Sequence, residues 1–318
     1  MPEIIDDKSQ YCIPFLLKRL EAHQARYGND PNNAPPFFLG LNGVQGAGKT
    51  VLVSTLQSTL RAPPYSLPVV TISLDDFYLT HEQQQTLARS FPSNPLLQHR
   101  GQPATHDLPL AEKVFESLRA GRPTAIPQYD KSAYSGQGDR VPESQWETVN
   151  GDGQERIKVV IFEGWCVGFR ALDDEVLREK WEAAVRQKDQ GDYNGRLGHV
   201  KFEDVKAVND ALRKYDIVTD RLDALVHISP SDAQDLHFVY DWRQEQERTL
   251  RATKGTGMTE EQVSHFVDGY YPSYELFSEA LREGAFKPAS SSTGTEWQGR
   301  QLRLIVNKER RVQEVIEI

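Results

Sequence analysis

Only two cysteines, Cys12 and Cys166, occur in 318 residues. That number excludes a disulfide framework, their separation is not that of a zinc site, and a reducing compartment is the economical reading. No apolar run approaches the roughly 20 residues that a bilayer span needs. Basic residues are the minority, with 37 Lys and Arg against 46 Asp and Glu and a net charge of −9. This balance argues against nucleic acid or an anionic membrane as the main partner. The opening MPEIIDDKSQ lacks both the basic-then-apolar pattern of a secretory signal and the arginine-rich, acid-poor pattern of a transit peptide. The expectation is a soluble cytoplasmic protein, with a nuclear pool left open. The length allows one large α/β domain or two smaller ones.

Against these absences stands one complete phosphate-loop pattern. Gly43, Val44, Gln45, Gly46, Ala47, Gly48, Lys49 and Thr50 read G-x-x-x-x-G-K-[ST]. Residues 37–41 form a short apolar run suited to a buried strand, and residues 51–60 suit a helix. A glycine turn between strand and helix lets successive backbone N–H groups point at phosphate oxygens. Lys49 would reach the β- and γ-phosphates, and the Thr50 hydroxyl would sit on Mg²⁺. A mere glycine turn with a surface lysine is the bland alternative. The context favours a nucleoside triphosphate.

Elsewhere the chain alternates strand and helix signals. Residues 1–30 hold an amphipathic helix with Ile13, Leu16, Leu17 and Leu20 at helical spacing and Gly28 as its stop. Residues 32–36 are a linker, and residues 68–74 a second strand. A helix over residues 108–120 takes Asp107 as N-cap, Leu110, Val114 and Leu118 as its buried stripe, and Gly121 as its end. Residues 129–154 read as loop, and residues 157–162 as a buried strand ending at Glu163-Gly164. Residues 187–198 look like a flexible insertion, and residues 222–229 and 302–307 are further strands. Ser231 is set to cap a long helix carrying Arg243, Arg248 and Arg251, and residues 289–293 read as a surface linker. The alternation predicts an α/β fold with a mainly parallel sheet in a single domain. Ligands of such folds sit beyond the carboxyl ends of strands.

Three groups of residues could carry phosphoryl transfer there. Asp75 and Asp76 end the second strand, and transfer to a hydroxyl needs a carboxylate to take its proton. Asp75 is the candidate base, and Asp76 would hold the acceptor or a metal-bound water. A solvated Asp-Asp turn would look the same. Glu163 ends the next strong strand, where with Thr50 it suits the oxygen-seeking Mg²⁺ ion; a loop or capping glutamate is the alternative. Arg243, Arg248 and Arg251 fall within an arc of roughly 140° on an ideal helix. They could form a lid over the γ-phosphate, with Arg248 the candidate catalytic arginine, or be solvated charges paired with Glu245 or Glu247. Between these landmarks, Arg100 or Lys131 would suit an acceptor carboxylate, and His106 and Asp107 its hydroxyls. Tyr78 and Tyr129 join them as acceptor-side candidates.

With these residues in view, the chain resembles the D-glycerate 3-kinase-like branch of the P-loop kinases, grouped with phosphoribulokinase, uridine kinase and bacterial-type pantothenate kinase. The matching segments are GVQGAGKT at Gly43, SLDDFYLT at Ser73, RGQPATHD at Arg100, PQYDKSAYSGQGDR at Pro127 and FEGWCVGF at Phe162. The stretch from Trp242 through Gly257-Met258 to Tyr274 is similar to the family's lid region. One departure is Ala104, which stands where the family tends to have glycine before Thr-His-Asp. The resemblance implies a P-loop NTPase fold, with a five-stranded parallel core sheet, helices on both faces and a helical lid over residues 231–277. It also implies ATP with Mg²⁺, transfer of the γ-phosphoryl group to a hydroxylated small molecule, and Asp75 as base. D-glycerate to 3-phosphoglycerate is the best single substrate. Other acceptors (a nucleoside, pantothenate or a sugar phosphate) and a non-catalytic ATP-binding sensor or assembly factor are the competing readings.

Overall fold

The computed structural model describes residues 6–28, 34–230, 235–255, 257–287 and 297–318. The first helix, α1 (Ser9–Ala25), leads into β1 (Phe37–Gly43) and α2 (Lys49–Arg61). There follow β2 (Val69–Ser73), α3 (His81–Ser90), α4 (Leu108–Arg119), and four short strands, β3 (Thr124–Ile126), β4 (Tyr129–Asp130), β5 (Asp139–Arg140) and β6 (Glu147–Val149). Next come β7 (Val159–Gly164), α5 (Asp174–Asp189), α6 (Phe202–Leu212), α7 (Asp216–Thr219) and β8 (Ala224–Ser229). The chain then runs through α8 (Phe238–Lys254), α9 (Glu260–Asp268), α10 (Tyr271–Glu283), β9 (Gln301–Val306) and β10 (Val312–Glu317).

The main sheet has the order β10-β9-β8-β1-β7-β2. Five of its strands, β9, β8, β1, β7 and β2, run parallel, and β10 adds an antiparallel edge. Every residue of β1 and β8 is buried, as required where helices cover both faces of a parallel sheet. The arrangement is the expected P-loop fold. The sixth strand was not expected, because its pattern of mostly exposed residues gives no buried-strand signal.

Other expectations need correction. Residues 129–154 are not plain loop: β3 pairs with β6 and β4 with β5 as two small antiparallel ribbons. Strands of two or three residues carry too few side chains for alternation to be read. On α4, Asp107 does cap Leu110 N, but Leu110 is only partly buried, and Ala111 and Phe115 join Val114 and Leu118 in the core. Residues 187–198 are tied down instead of forming a loose insertion. Their first three residues finish α5, and Glu275 on α10 accepts hydrogen bonds from the Tyr193 hydroxyl at 2.5 Å and from the Arg196 and Leu197 amides at 2.8 Å. Arg196 also pairs with Asp268 at 2.6 Å. Polar composition hid these anchors because they are charged and tertiary. The cap expected at Ser231 and the linker at residues 289–293 lie outside the described residues. Among the described residues no helix is long and apolar enough to cross a membrane.

Candidate nucleotide and acceptor site

The sheet order brings the three expected landmarks to one rim. β7 lies between β1 and β2, with Glu163 opposite Leu41 on one side and Ser73 on the other. Neighbouring strands lie about 4.8 Å apart, so the loops after β1 and β2 open on either side of Glu163. Lys49 feels the charges of both Glu163 and Asp75, as it must if all three share a cleft. Burial pushes the Lys49 ammonium below its ordinary value, and these two carboxylates pull it back up. Its Nζ donates to the Gly43 carbonyl at 2.6 Å and the Val44 carbonyl at 3.3 Å, within its own loop.

Two glycines of this loop have no substitute. Gly46 and Gly48 hold φ of +79° and +94°, and Gly48 is the N-cap of α2. A Cβ on Gly46 would also strike the Cβ of Trp242, a fully buried residue of α8. Around the loop, the Gln45 amide donates to the Tyr274 hydroxyl at 3.4 Å. On its outer side the Gly46 carbonyl accepts from Arg310 Nε at 2.6 Å.

Asp75 and Asp76 occupy a single helical turn, residues 74–77, that Ser73 caps. Their side chains diverge. The Asp75 carboxylate meets Lys131 Nζ at 2.5 Å. Desolvation pushes the Asp75 carboxyl up, but the Lys131 charge and hydrogen bond, helped by His106 and the Tyr78 hydroxyl, hold it below the ordinary value. Asp76 turns back into the frame. Its two oxygens accept from the amides of Ser73 and Tyr129, each at 3.3 Å. Burial pushes its carboxyl up to about 6, against those two hydrogen bonds. Backbone amides thus engage both oxygens of Asp76, which gives it a structural task in the frame.

The remaining acceptor-side candidates separate in the same way. Arg100 spends its guanidinium on the carbonyls of Gly136 and Gln137 and leans on the Tyr129 ring. Asp107 is engaged by Leu110 N and by Arg140 at 3.0 Å. Both residues therefore hold loops rather than stand open. Lys131, by contrast, is more than half exposed. His106 stacks on Tyr78 at 4.4 Å, and burial drives its imidazole down to about 4, so the ring is neutral at pH 7. Its Nδ1 lies 2.6 Å from the Tyr215 hydroxyl, whose oxygen accepts from Ala104 N at 3.2 Å. The hydroxyl can donate to Nδ1 or accept from it, so this bond fits either neutral tautomer of the ring. Nε2 is itself buried, and among the described residues it has no partner.

The expected lid is rearranged. Arg243 pairs with buried Glu247 at 2.8 Å, and Arg248 lies 3.6 Å from Glu260 and is 54% exposed. At 100° per residue Arg248 points about 120° away from Trp242, the residue that packs on the phosphate loop. Among the described residues none of these arginines bonds to the loop, and Arg248 is not set over it, because packing of Trp242 and Glu247 fixes the helix rotation. A cation from outside the loop that does touch it is Arg310, from the turn between β9 and β10. Sequence gave no sign of it, since one arginine among Lys308, Arg310 and Arg311 carries no periodicity. Trp242 and Tyr274 could have been suspected from the lid resemblance alone.

No family model matches the chain. An uncharacterized kinase of Schizosaccharomyces pombe is 38% identical over 277 residues, covering 86% of this chain and 88% of that protein. The chloroplastic D-glycerate 3-kinase of Arabidopsis thaliana is 34% identical over 278 residues, or 85% of this chain and 54% of that protein. Among solved structures, a D-glycerate 3-kinase from Cryptococcus neoformans var. grubii superposes with a TM-score of 0.85 at 36% identity, over 99% of this chain and 100% of that one.

Proposed function

Since this chain belongs to the D-glycerate 3-kinase-like family of ATP-dependent P-loop kinases, we propose that it transfers the γ-phosphoryl group of ATP to a hydroxyl of D-glycerate, giving 3-phosphoglycerate. The observation that carries the acceptor choice is the Lys131–Asp75 pair beside the phosphate-loop lysine. An acceptor with both a carboxylate and a hydroxyl answers both members of that pair. Its carboxylate takes the exposed Lys131 ammonium, and its hydroxyl proton goes to Asp75 Oδ.

On the nucleotide side, amides of residues 43–50 and the Lys49 ammonium bind the triphosphate. Mg²⁺ fits the donor set: Thr50 is exposed at the start of α2, and Glu163 offers a carboxylate at the rim. The described residues contain no cluster of three His, Cys, Asp or Glu for a metal, which suits an ion held by one or two protein oxygens plus phosphates and water. When bound, Mg²⁺ would neutralise charge on the phosphates. Asp75 serves as base because its ionised form persists through the working pH range, with Lys131 beside it.

An ADP-release assay with D-glycerate, glycerol, uridine and pantothenate tests the acceptor. The expected order puts D-glycerate first and glycerol, which lacks the carboxylate, far behind. Replacing Lys131 by Met should narrow that gap by at least about tenfold, the discrimination expected when an ion-paired hydrogen bond is lost. Faster turnover of uridine or pantothenate would overturn the acceptor assignment.

A further inference from the structure

We infer that Arg310 is a positioning residue for the phosphate loop, joining it to α8 and to the N-terminal segment; this deepens, and rests on, the reading that the loop binds ATP. Arg310 sits at the tip of the β9–β10 hairpin with φ +64° and is 5% exposed. Its Nε donates to the Gly46 carbonyl at 2.6 Å, and its Nη2 meets Glu245 of α8 at 2.6 Å. The guanidinium also lies over the Trp242 ring, 5.6 Å from its centroid. One rigid fork thus holds the loop apex and the helix at once, a task that a single-point ammonium cannot perform.

The hairpin tip is itself clamped. Trp242 Nε1 donates to the Lys308 carbonyl at 2.6 Å, and Lys308 pairs with Asp241 at 2.6 Å. From the other end of the chain, Lys8 Nζ, 2% exposed, donates to the Arg310 carbonyl at 2.6 Å. Asp7 accepts from Val312 N at 2.9 Å and pairs with Lys8 at 3.1 Å. Two buried cations are costly unless fully engaged. Here each one is spent on a backbone carbonyl and a carboxylate.

The consequence for nucleotide binding follows from peptide planarity. In a trans peptide the C=O and the next N–H point in opposite directions. Arg310 draws the Gly46 carbonyl to the outside, so the Ala47 N–H faces the inside of the loop, where it donates to the Val44 carbonyl at 3.2 Å. The turn of the loop on which the phosphates depend is fixed from behind.

Steady-state kinetics and ATP titration of the full chain test this. Arg310→Ala should raise both Kd and KM for ATP about tenfold or more, with acceptor KM within about twofold of the parent. Arg310→Lys keeps the charge but not the fork, and should recover only part of the loss. Glu245→Gln, at a less buried position, should raise ATP Kd severalfold. A fall in kcat with unchanged ATP KM, as from a smaller folded fraction, would overturn the inference. If Arg310→Ala does not fold, unchanged ATP Kd in both Arg310→Lys and Glu245→Gln overturns it equally. A parent protein that fails to bind ATP in the same titration would instead remove the nucleotide reading.

Discussion

Adjacent aspartates 75 and 76 are pushed in opposite directions by their surroundings, and the two shifts make separate predictions. Asp75, held ionised by Lys131, is the proposed base. Asp75→Asn should lower kcat by roughly 10²–10⁴ while ATP Kd stays within about threefold, as loss of a general base does; unchanged turnover would remove Asp75 from the chemistry. Asp76 titrates near 6 in the fold and near 3.8 when unfolded, so over that interval the folded state binds the extra proton. Stability from this group is therefore greatest below the unfolded value and falls as pH rises to about 6. The unfolding free energy of Asp76→Asn minus that of the parent, from urea melts, should rise by about 2 kcal/mol between pH 4.5 and 7. A pH-independent difference would contradict the shift. Ala104 is a third case, with φ +97°, in the left-handed region that favours glycine. Ala104→Gly should gain about 1 kcal/mol, because the left-handed region penalises a Cβ by that order; a melt showing a loss would mean Ala104 packing matters more. That Lys49, Asp75 and Glu163 would meet at one rim was legible because each ends a strand or follows one. Which of Asp76, Arg100 and Asp107 were already taken by backbone amides, carbonyls or Arg140 was not, since those partners lie far away in sequence.

Among the elements, β1, the phosphate loop and α2 follow from composition almost residue by residue. Seven buried positions make the strand, two left-handed glycines the turn, and Leu52, Leu56 and Leu60 the buried stripe of the helix. Long periodic elements of this kind carry their own signal. The ribbons β3–β6 and β4–β5 do not, and neither does the rotation of α8, which depends on what Trp242 and Glu247 pack against. Gly46→Ala tests the closeness of loop and helix. With an unfavourable φ and a collision with Trp242, it should cost about 2–4 kcal/mol and abolish measurable ATP binding. A variant with parental melting and nucleotide affinity would mean that α8 stands off the loop in solution.

For the whole molecule, five parallel strands and the rim they share were readable from alternating strand and helix signals and from the resemblance. Closure of the structure was not. The N-terminal segment, the β9–β10 hairpin and α8 meet behind the phosphate loop through Lys8, Asp7, Arg310 and Glu245, contacts between positions up to 305 apart. Patterns within a short window cannot report such pairs. Deleting residues 1–8 should lower the melting temperature and raise ATP KM severalfold, because the Arg310 carbonyl and Val312 amide lose their buried partners. Parental values for both would show that the clamp does not depend on that segment.

Gly46 and the arginine that braces it are 264 positions apart. At about 5–20 residues per second, a ribosome spends roughly 13–50 s between making one and making the other. Throughout that interval the glycine turn exists without its brace. Nascent chains should therefore capture nucleotide poorly until β10 has emerged, so that competence arrives as a late step of biosynthesis.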